Sequence, residues 1–513
     1  MNRLLMIACI ALTLMLGSCT KLDEKYNADL TFNPSASAGG NPNVAGLLTS
    51  VYNSMQGTFQ AEAGVYALWE MTTDELIGPT RGGDWDDNGA WRVLHSHRFD
   101  ADHIRVREVY TNLLSTVFIA TDLLRYNPSP QQAAQARFIR AMANFMVLDG
   151  YDQVPYREPG ESTINPAKLR KGVEALDYII SEINASLPNL PDAPVNLANK
   201  DAARVLLMKC FLNKGAYKSR TAPTFDAADM AQVVTLADQI INSGRYSYSV
   251  NYFDNFAPKN NTIGRENIWT QENVGGTQSG NIRSRYHTTT HYKMQPSGWN
   301  GFSTLSDFYN KFEASDKRRG VAYPTGSTRF TNAGNRVNVG FLVGQQYDMS
   351  NDTLLNDRTG ARLNFTPAVS LIEKGNNLEV TGIRAYKTAI DYPNDGNGNW
   401  DNDYVYFRLG DVLLMKAEAM FRTSNAAGAL VIVNNLRINR GATALGSLTL
   451  DNLIDERGRE LYLESWRRQD LIRFGKFSLP RQEKGQSDPK YLLFPIPNGQ
   501  LAANPNLTQN PGY

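Results

Sequence analysis

Apolar residues recur three and four positions apart along much of this chain, the spacing of an amphipathic helix. The run Ile104, Val106, Val109, Tyr110, Leu113, Leu114, Val117, Phe118, Thr121 and Leu124 predicts a helix over 104–126. Asn127-Pro128-Ser129-Pro130 ends it, and a second helix rich in small residues follows over 131–148. Further helices are predicted over 172–187, stopped by Pro188 and Pro191, over 200–217, and over 229–242, closed by Gly244. Between 245 and 400 the periodicity fades and Gly, Asn, Thr and Tyr rise, leaving short alternating pieces such as 336–343 as candidate strands. Helical spacing returns over 408–422, 426–440 and 450–473, and the chain from Phe494 onward reads as extended and bounded by prolines.

The pattern predicts a mostly α fold, with tetratricopeptide-like helical hairpins and a loop-rich insert containing a few short strands. No strict 34-residue repeat is present, so the hairpins are degenerate ones.

The first residues carry a different message. Arg3 precedes an apolar run from Leu4 to Leu16, followed by Gly17, Ser18 and Cys19. Such a run is shorter than the ~20 residues that cross a bilayer as a helix, and it has the charge and small-residue flanks of a secretory signal peptide. Leu16-Gly17-Ser18-Cys19 resembles a bacterial lipobox, which implies cleavage after residue 18 and acylation of Cys19, enough lipid for stable anchoring. Thr20 follows instead of the Asp of inner-membrane retention, so the outer membrane is the expected location.

Charge and cysteine content exclude several classes. Without the signal, which carries Arg3, 51 basic residues balance 51 acidic ones, and nothing favours nucleic acid or anionic lipid. With Cys9 removed and Cys19 acylated, Cys210 stands alone in the apolar stretch 205–212, a buried small hydrophobe with no disulfide partner. Aromatic residues make up 10% of the chain, a supply that suits sugar stacking and a large core equally.

Catalytic and metal signatures are weak. His95 and His97 alternate with Ser96, and His287 and His291 stand four apart, but the intervening Thr288-Thr289-Thr290 is β-prone and no general-base Glu accompanies them. Residues 391–403, rich in Asp, Asn and Gly, read as a solvated turn without the closing Glu of a calcium loop. No Gly-x-Ser-x-Gly elbow, P-loop or dinucleotide fingerprint occurs, so no cofactor is expected. Ten of the 19 residues from Asp455 to Arg473 are charged, and Asp455 with Arg459 and Glu464 with Arg468 have the acid-first, four-apart spacing of helix-surface pairs.

That charged segment also carries a resemblance. Asp455-Glu456-Arg457-Gly458-Arg459-Glu460-Leu461, followed by 464–475 (Glu-Ser-Trp-Arg-Arg-Gln-Asp-Leu-Ile-Arg-Phe-Gly), resembles the signature helix of the SusD/RagB family. Supporting segments are 406–419, 494–497 with the closing 504–513, 136–155, and Thr73-Asp74-Glu75 with 79–85. One departure is Ser465, where many relatives have Gly. The resemblance implies a cell-surface lipoprotein without catalytic activity. It would capture oligosaccharides and hand them to a SusC-like TonB-dependent transporter. It also implies a division into a signal (1–18), an N-terminal helical region (19–250), an irregular ligand-binding insert (251–400) and a C-terminal helical region (401–513). A surface glycoside hydrolase, whose two carboxyls lie anywhere in sequence, and a helical scaffold that binds no glycan are the alternatives.

Glycan contact calls for an exposed ring beside hydrogen-bonding groups. Trp85, in the Gly-rich loop with Arg81 and Asp84, fits best; Trp91 and Asp74 flank it. In the insert, Trp299 and Trp400 have similar neighbours, and Arg384 and Tyr404 complete the candidate set. Buried structural tryptophan is the competing reading for each indole.

Overall fold

The structure is a computed structural model that describes residues 43–324, 339–348, 351 and 353–513. The signal reading, Cys9, Cys19 and the first three residues of the candidate strand 336–343 lie outside it.

Eight helices carry the framework: α1 (Val44–Gln60), α2 (Ile104–Leu123), α3 (Pro130–Tyr151), α4 (Gly172–Ser186), α5 (Lys200–Lys218), α6 (Ala227–Ile241), α7 (Leu409–Arg422) and α8 (Ala426–Asn439). Two shorter helices follow, α9 (Leu450–Leu461) and α10 (Arg467–Arg473). Their starts are written locally. Ser129 accepts from the amide of Gln132, whose side chain reaches back, and Pro130 occupies the first turn of α3. Asn199 caps α5, Asp226 caps α6, and Thr449 forms a capping box with Asn452 on α9.

Each of α1 to α8 packs on the next in chain order, giving four successive pairs. The helix α6 rests on α7 although the whole irregular segment intervenes. Helix α3 lies in the middle: every residue from Phe138 to Tyr151 is buried, so its pattern is apolar nearly all round. Residues 44–513 form one compact unit, whose main apolar cluster runs from Val51 to Leu507. Cys210 is buried within it, as its context predicted.

Small antiparallel sheets organise the rest: a hairpin of β1 (Gln153–Tyr156) and β2 (Lys168–Lys171), then β3 (Asn267–Gln271), β4 (Gly320–Val321), β5 (Val339–Leu342), β6 (Gly344–Gln345), β7 (Asn364–Phe365), β8 (Arg384–Tyr386) and β9 (Tyr404–Arg408). Strand β3 pairs with β9, and β5 lies between β4 and β8. Trp269 of β3 stacks on Tyr406 of β9 at 4.1 Å, which fastens the irregular segment to the strand leading into α7.

Several expectations change. Helix α1 went unread because its 3–4 spacing of Val44, Leu47, Leu48, Val51 and Met55 is interleaved with Gly, Thr, Ser and Asn, poor helix formers that packing overrides. Thr288 and Thr289 belong to a short helix, Ser284–Thr289, where their hydroxyls donate to the carbonyls of Ser284 (3.0 Å) and Arg285 (2.8 Å). A short helix, Asn498–Ala503, interrupts the extended ending. In the Asp-rich run, Asp391 accepts from Asn394 and from the amide of Asp401, so the turn is closed by its own bonds.

The predicted helix 450–473 is two helices. Between α9 and α10 Leu463 and Ser465 take positive φ values of 59° and 67°. The amide of Leu463 donates to Glu75 and that of Ser465 to Glu70, carboxyls from the far end of the chain. The two predicted i,i+4 pairs do not form. Asp455 meets Lys311, Arg459 meets Glu456, Glu464 meets Arg408 and Lys387, and Arg468 donates to the carbonyls of Tyr491 and Leu492.

These charges are buried, not spread on a helix surface. Glu460, fully enclosed, accepts from Arg318 (3.0 Å), Arg440 (2.7 Å) and Arg408. Burial works against its charge, but the three guanidinium groups hold its carboxyl well below the usual range. A Cβ at Gly410 would stand 2.5 Å from both Arg408 Nη1 and Glu460 Oε1, so that glycine lets the network close.

Candidate functional site

The loop 78–91 and the loop 297–302 are pinned to each other. Arg81, with φ of 48°, sends its guanidinium inward to the carbonyl of Gly301 (3.0 Å), the hydroxyl of Ser303 (2.8 Å) and the carbonyl of Thr381 (2.9 Å). It also faces Glu373 at 3.4 Å, and burial lowers its pKa to about 10. Trp85 lies flat on Gly301, where a Cβ would come within 2.5 Å of the ring, and its indole N–H donates to the carbonyl of Trp299 (3.0 Å). Phe302 fills the space behind, edge-on to Trp85 (5.3 Å) and to Trp91 (5.2 Å).

This arrangement leaves one indole outside. Trp299 is 43% exposed and stacks on the His287 ring at 5.4 Å and 24°. Next to it opens a cleft of about 210 Å³ lined by Arg81, Asp84, Tyr292, Asn300, Arg358 and Glu379. Arg358 lies over the Tyr292 ring at 4.2 Å, and its Nε pairs with Glu379, which also meets His291 at 2.7 Å. Asp84 is exposed. The cleft therefore offers an aromatic face, guanidinium donors and carboxylate acceptors within one small concavity.

Two carboxyls of the cleft, Glu379 and Asp357, are held toward the ionised form. Burial opposes it, but the hydrogen bonds from Arg358 and His291 hold Glu379 below its ordinary range. The Thr359 hydroxyl does the same for Asp357. His291 is lowered by burial, and His287 likewise, with Nδ1 at 2.8 Å from the carbonyl of Ser297. The two histidines thus meet different partners. His95 and His97 are buried against backbone carbonyls. Among the described residues no three His, Cys, Asp or Glu side chains gather as a metal site.

Of the residues selected from sequence, Arg81 and Asp84 line the cleft, and Trp85 and Trp299 stand beside it. Trp91 is buried, its indole N–H bound by Asp87, so its ring packs inside the loop. Arg384 is fully enclosed behind the site, donating to Asn300 (2.9 Å) and the carbonyl of Glu379 (2.8 Å); it supports the cleft rather than lining it. Burial lowers its pKa well below the usual value. Tyr404 packs against Phe59 and Tyr406 in the core, and Trp400 is fully buried. Asp74 belongs elsewhere, bidentate to Arg467 at 2.7 and 2.8 Å. Burial works against Asp74, but Arg467 brings its pKa down to about 2. The sequence reading missed Tyr292, Arg358 and Glu379. The turn-formers of 356–360 and 375–377 were the available signal, since loops of Asn, Asp and Gly surround both Arg358 and Glu379.

A profile of the SusD family matches residues 265–513. The starch-binding protein SusD of Bacteroides thetaiotaomicron is 26% identical over 90% of this chain and 88% of its own length. Among solved structures, a laminarin-binding SusD-like protein superposes with a TM-score of 0.69 at 17% identity, over 92% of this chain and 99% of that one. The surface glycan-binding protein A of Bacteroides uniformis gives 0.67 at 17% identity, over 91% and 98%. The Asp455–Gly475 signature, the four helix pairs and these likenesses agree along the chain. Residues 265–513 match the SusD family, and the chain as a whole is similar to SusD proteins.

Proposed function

We propose that the protein binds a glycan without hydrolysing it, at the cleft beside Trp299, and passes it to a SusC-like TonB-dependent transporter from a lipid anchor on Cys19. The observation that carries this reading is Trp299: a large indole kept 43% exposed, braced by His287, beside a cleft whose guanidinium and carboxylate groups match sugar hydroxyls. A single exposed aromatic needs no explanation by itself, but one braced at a polar cleft does. Relatives named for binding starch and laminarin support the ligand class. The state of the acids supports binding over turnover. A glycosidase keeps one carboxyl protonated to serve the leaving group, whereas Glu379 and Asp357 are both held below their ordinary range.

Titration calorimetry against a panel of starch, laminarin and other oligosaccharides tests the proposal, together with an assay for released reducing sugar. Trp299→Ala is expected to weaken the bound glycan by about tenfold or more, the scale of a central aromatic contact. Release of reducing ends, or an unchanged affinity in the variant, would sink the reading. No helix among the described residues is long and apolar enough to cross a membrane, which is compatible with a lipid anchor. Cys19→Ala should move the protein out of the membrane fraction; retention there would remove the anchor from the proposal.

A further inference from the structure

A second and larger cleft, about 420 Å³, opens on the far side of Asp74, where α9 and α10 meet the segments 307–311 and 476–481. Its rim charges are mostly neutralised in pairs: Arg467 with Asp74 (2.7 Å), Lys311 with Asp455 (2.7 Å) and Lys476 with Asp451 (2.6 Å). Ile454, Leu471 and Leu479 supply apolar wall, and Leu479 is 45% exposed at the mouth.

Two lining charges stand outside these pairs: Asp307, which accepts from the backbone amide of Gln482 (3.2 Å), and Arg481. Its guanidinium donates to the carbonyls of Thr72 (2.7 Å) and Phe477 (3.4 Å) and lies 3.0 Å from His97 Nε2, while no carboxylate among the described residues comes within ion-pair distance of it. Its Nε is enclosed without a partner. The neighbouring Lys484 is in the same condition, held by the carbonyls of Ser478, Leu479 and Gly485. Two adjacent cations thus stand behind one wall of the cleft, and both are discharged more easily than usual: burial lowers Arg481 to about 9 and Lys484 to about 8. A partly buried cation without an ion-pair partner is costly unless an anion meets it, and the Nη1 group, held only by the 3.4 Å contact to Phe477, has an N–H to offer a carboxylate oxygen.

We propose that this cleft is a second ligand site, one that takes a small polar molecule carrying a carboxylate, with Arg481 as the group that receives it. Size and wall chemistry suit a ligand of one or two rings or residues, whose anionic end meets Arg481 and whose less polar side rests on Leu471 and Leu479. The site is separate from the cleft beside Trp299, and the proposal stands whether or not a glycan binds there.

The test uses the whole protein and three probes in calorimetry and thermal shift: D-glucuronate, the dipeptide Gly-Gly and neutral D-glucose. Saturable binding of either carboxylate probe, with glucose inert, is the expected result, and which of the two binds more tightly identifies an acidic sugar or a peptide as the source. Arg481→Gln should weaken that binding by about tenfold or more, the loss of one charge-assisted contact. Because Arg481 also ties Thr72 and Phe477 together, a second variant is needed. Leu479→Trp fills the mouth from an exposed position and should block the probe while leaving the melting temperature near that of the parent. Trp299→Ala should leave probe binding intact. Absence of binding by both carboxylates, equal binding of glucose, or binding indifferent to both cleft variants would overturn the assignment.

Discussion

Glu70→Gln probes the buried acid pair on which the turn between α9 and α10 depends. Glu70 and Glu75 are 0% and 1% exposed. One oxygen of each accepts a backbone amide, from Ser465 and Leu463 respectively. The remaining oxygens, Glu70 Oε2 and Glu75 Oε1, are enclosed without a hydrogen-bond donor, Arg467 Nε standing 3.7 Å from the latter, and the interaction of the two carboxyls with each other calls for a proton between them. Arg285 and Lys387 face Glu70, Arg467 and Asp74 face Glu75, and the neutral phenol of Tyr66 adjoins both. Burial raises Glu70 to about 7, with the cations offsetting part of the rise; burial and the charge of Glu70 raise Glu75.

A folded pKa above the unfolded value makes the contribution complete below pH 4.5 and lost as pH climbs through about 7. At 1.36 kcal/mol per unit, the shift amounts to about 3 kcal/mol. The introduced carboxamide keeps an acceptor for the Ser465 amide and gives Glu75 a permanent donor, so the variant should fold but lose this titration. Urea unfolding from pH 5 to 8 reads the effect as the stability of the parent minus that of the variant, which should fall by about 2–3 kcal/mol across the range. A difference that stays constant with pH would refute the shared proton.

Two further outcomes follow from the same region. Glu460→Ala leaves Arg318, Arg408 and Arg440 with an uncompensated buried charge and should cost about 3–5 kcal/mol in denaturant unfolding, far above a surface ion pair; a loss under about 1 kcal/mol would mean the network is not enclosed as described. Ser465→Gly relieves a residue at φ of 67° and should raise stability by about 0.5–1 kcal/mol, read as a higher melting temperature; destabilisation would show that the Ser465 side chain outweighs its backbone strain.

The 3–4 spacing of apolar residues, with Ser129-Pro130, Asn199, Asp226 and Thr449 at helix starts, was enough to locate α2 to α8 and the start of α9 within a few residues, because those signals act within one or two turns of chain. The charged segment 455–473 likewise carried the family resemblance in its residues alone, yet its geometry was not legible there. Its helix breaks because Glu70 and Glu75 take the amides of Ser465 and Leu463, partners almost 400 positions away that no local pattern announces. The four-apart acids and bases separate for the same reason: once α9 is buried, Lys311 of the insert takes Asp455, and Arg408 of β9 with Lys387 takes Glu464, in place of the partners four residues on.

The tryptophans of the site divide in the same way. Trp85, Trp91, Trp299 and Trp400 share nearly the same company of Gly, Asn and Asp, and sequence ranked Trp85 first. Exposure fell to Trp299 because Phe302 and Gly301 receive Trp85 and Trp91 from a loop more than 200 residues earlier, while Trp400 sinks beside Tyr286. Sequence supplied most of the helices, the family resemblance and part of the candidate site, Arg81, Asp84 and Trp299 among it. Packing between distant segments decided which side chains meet solvent, since burial is settled by what lies against a side chain and not by what precedes it.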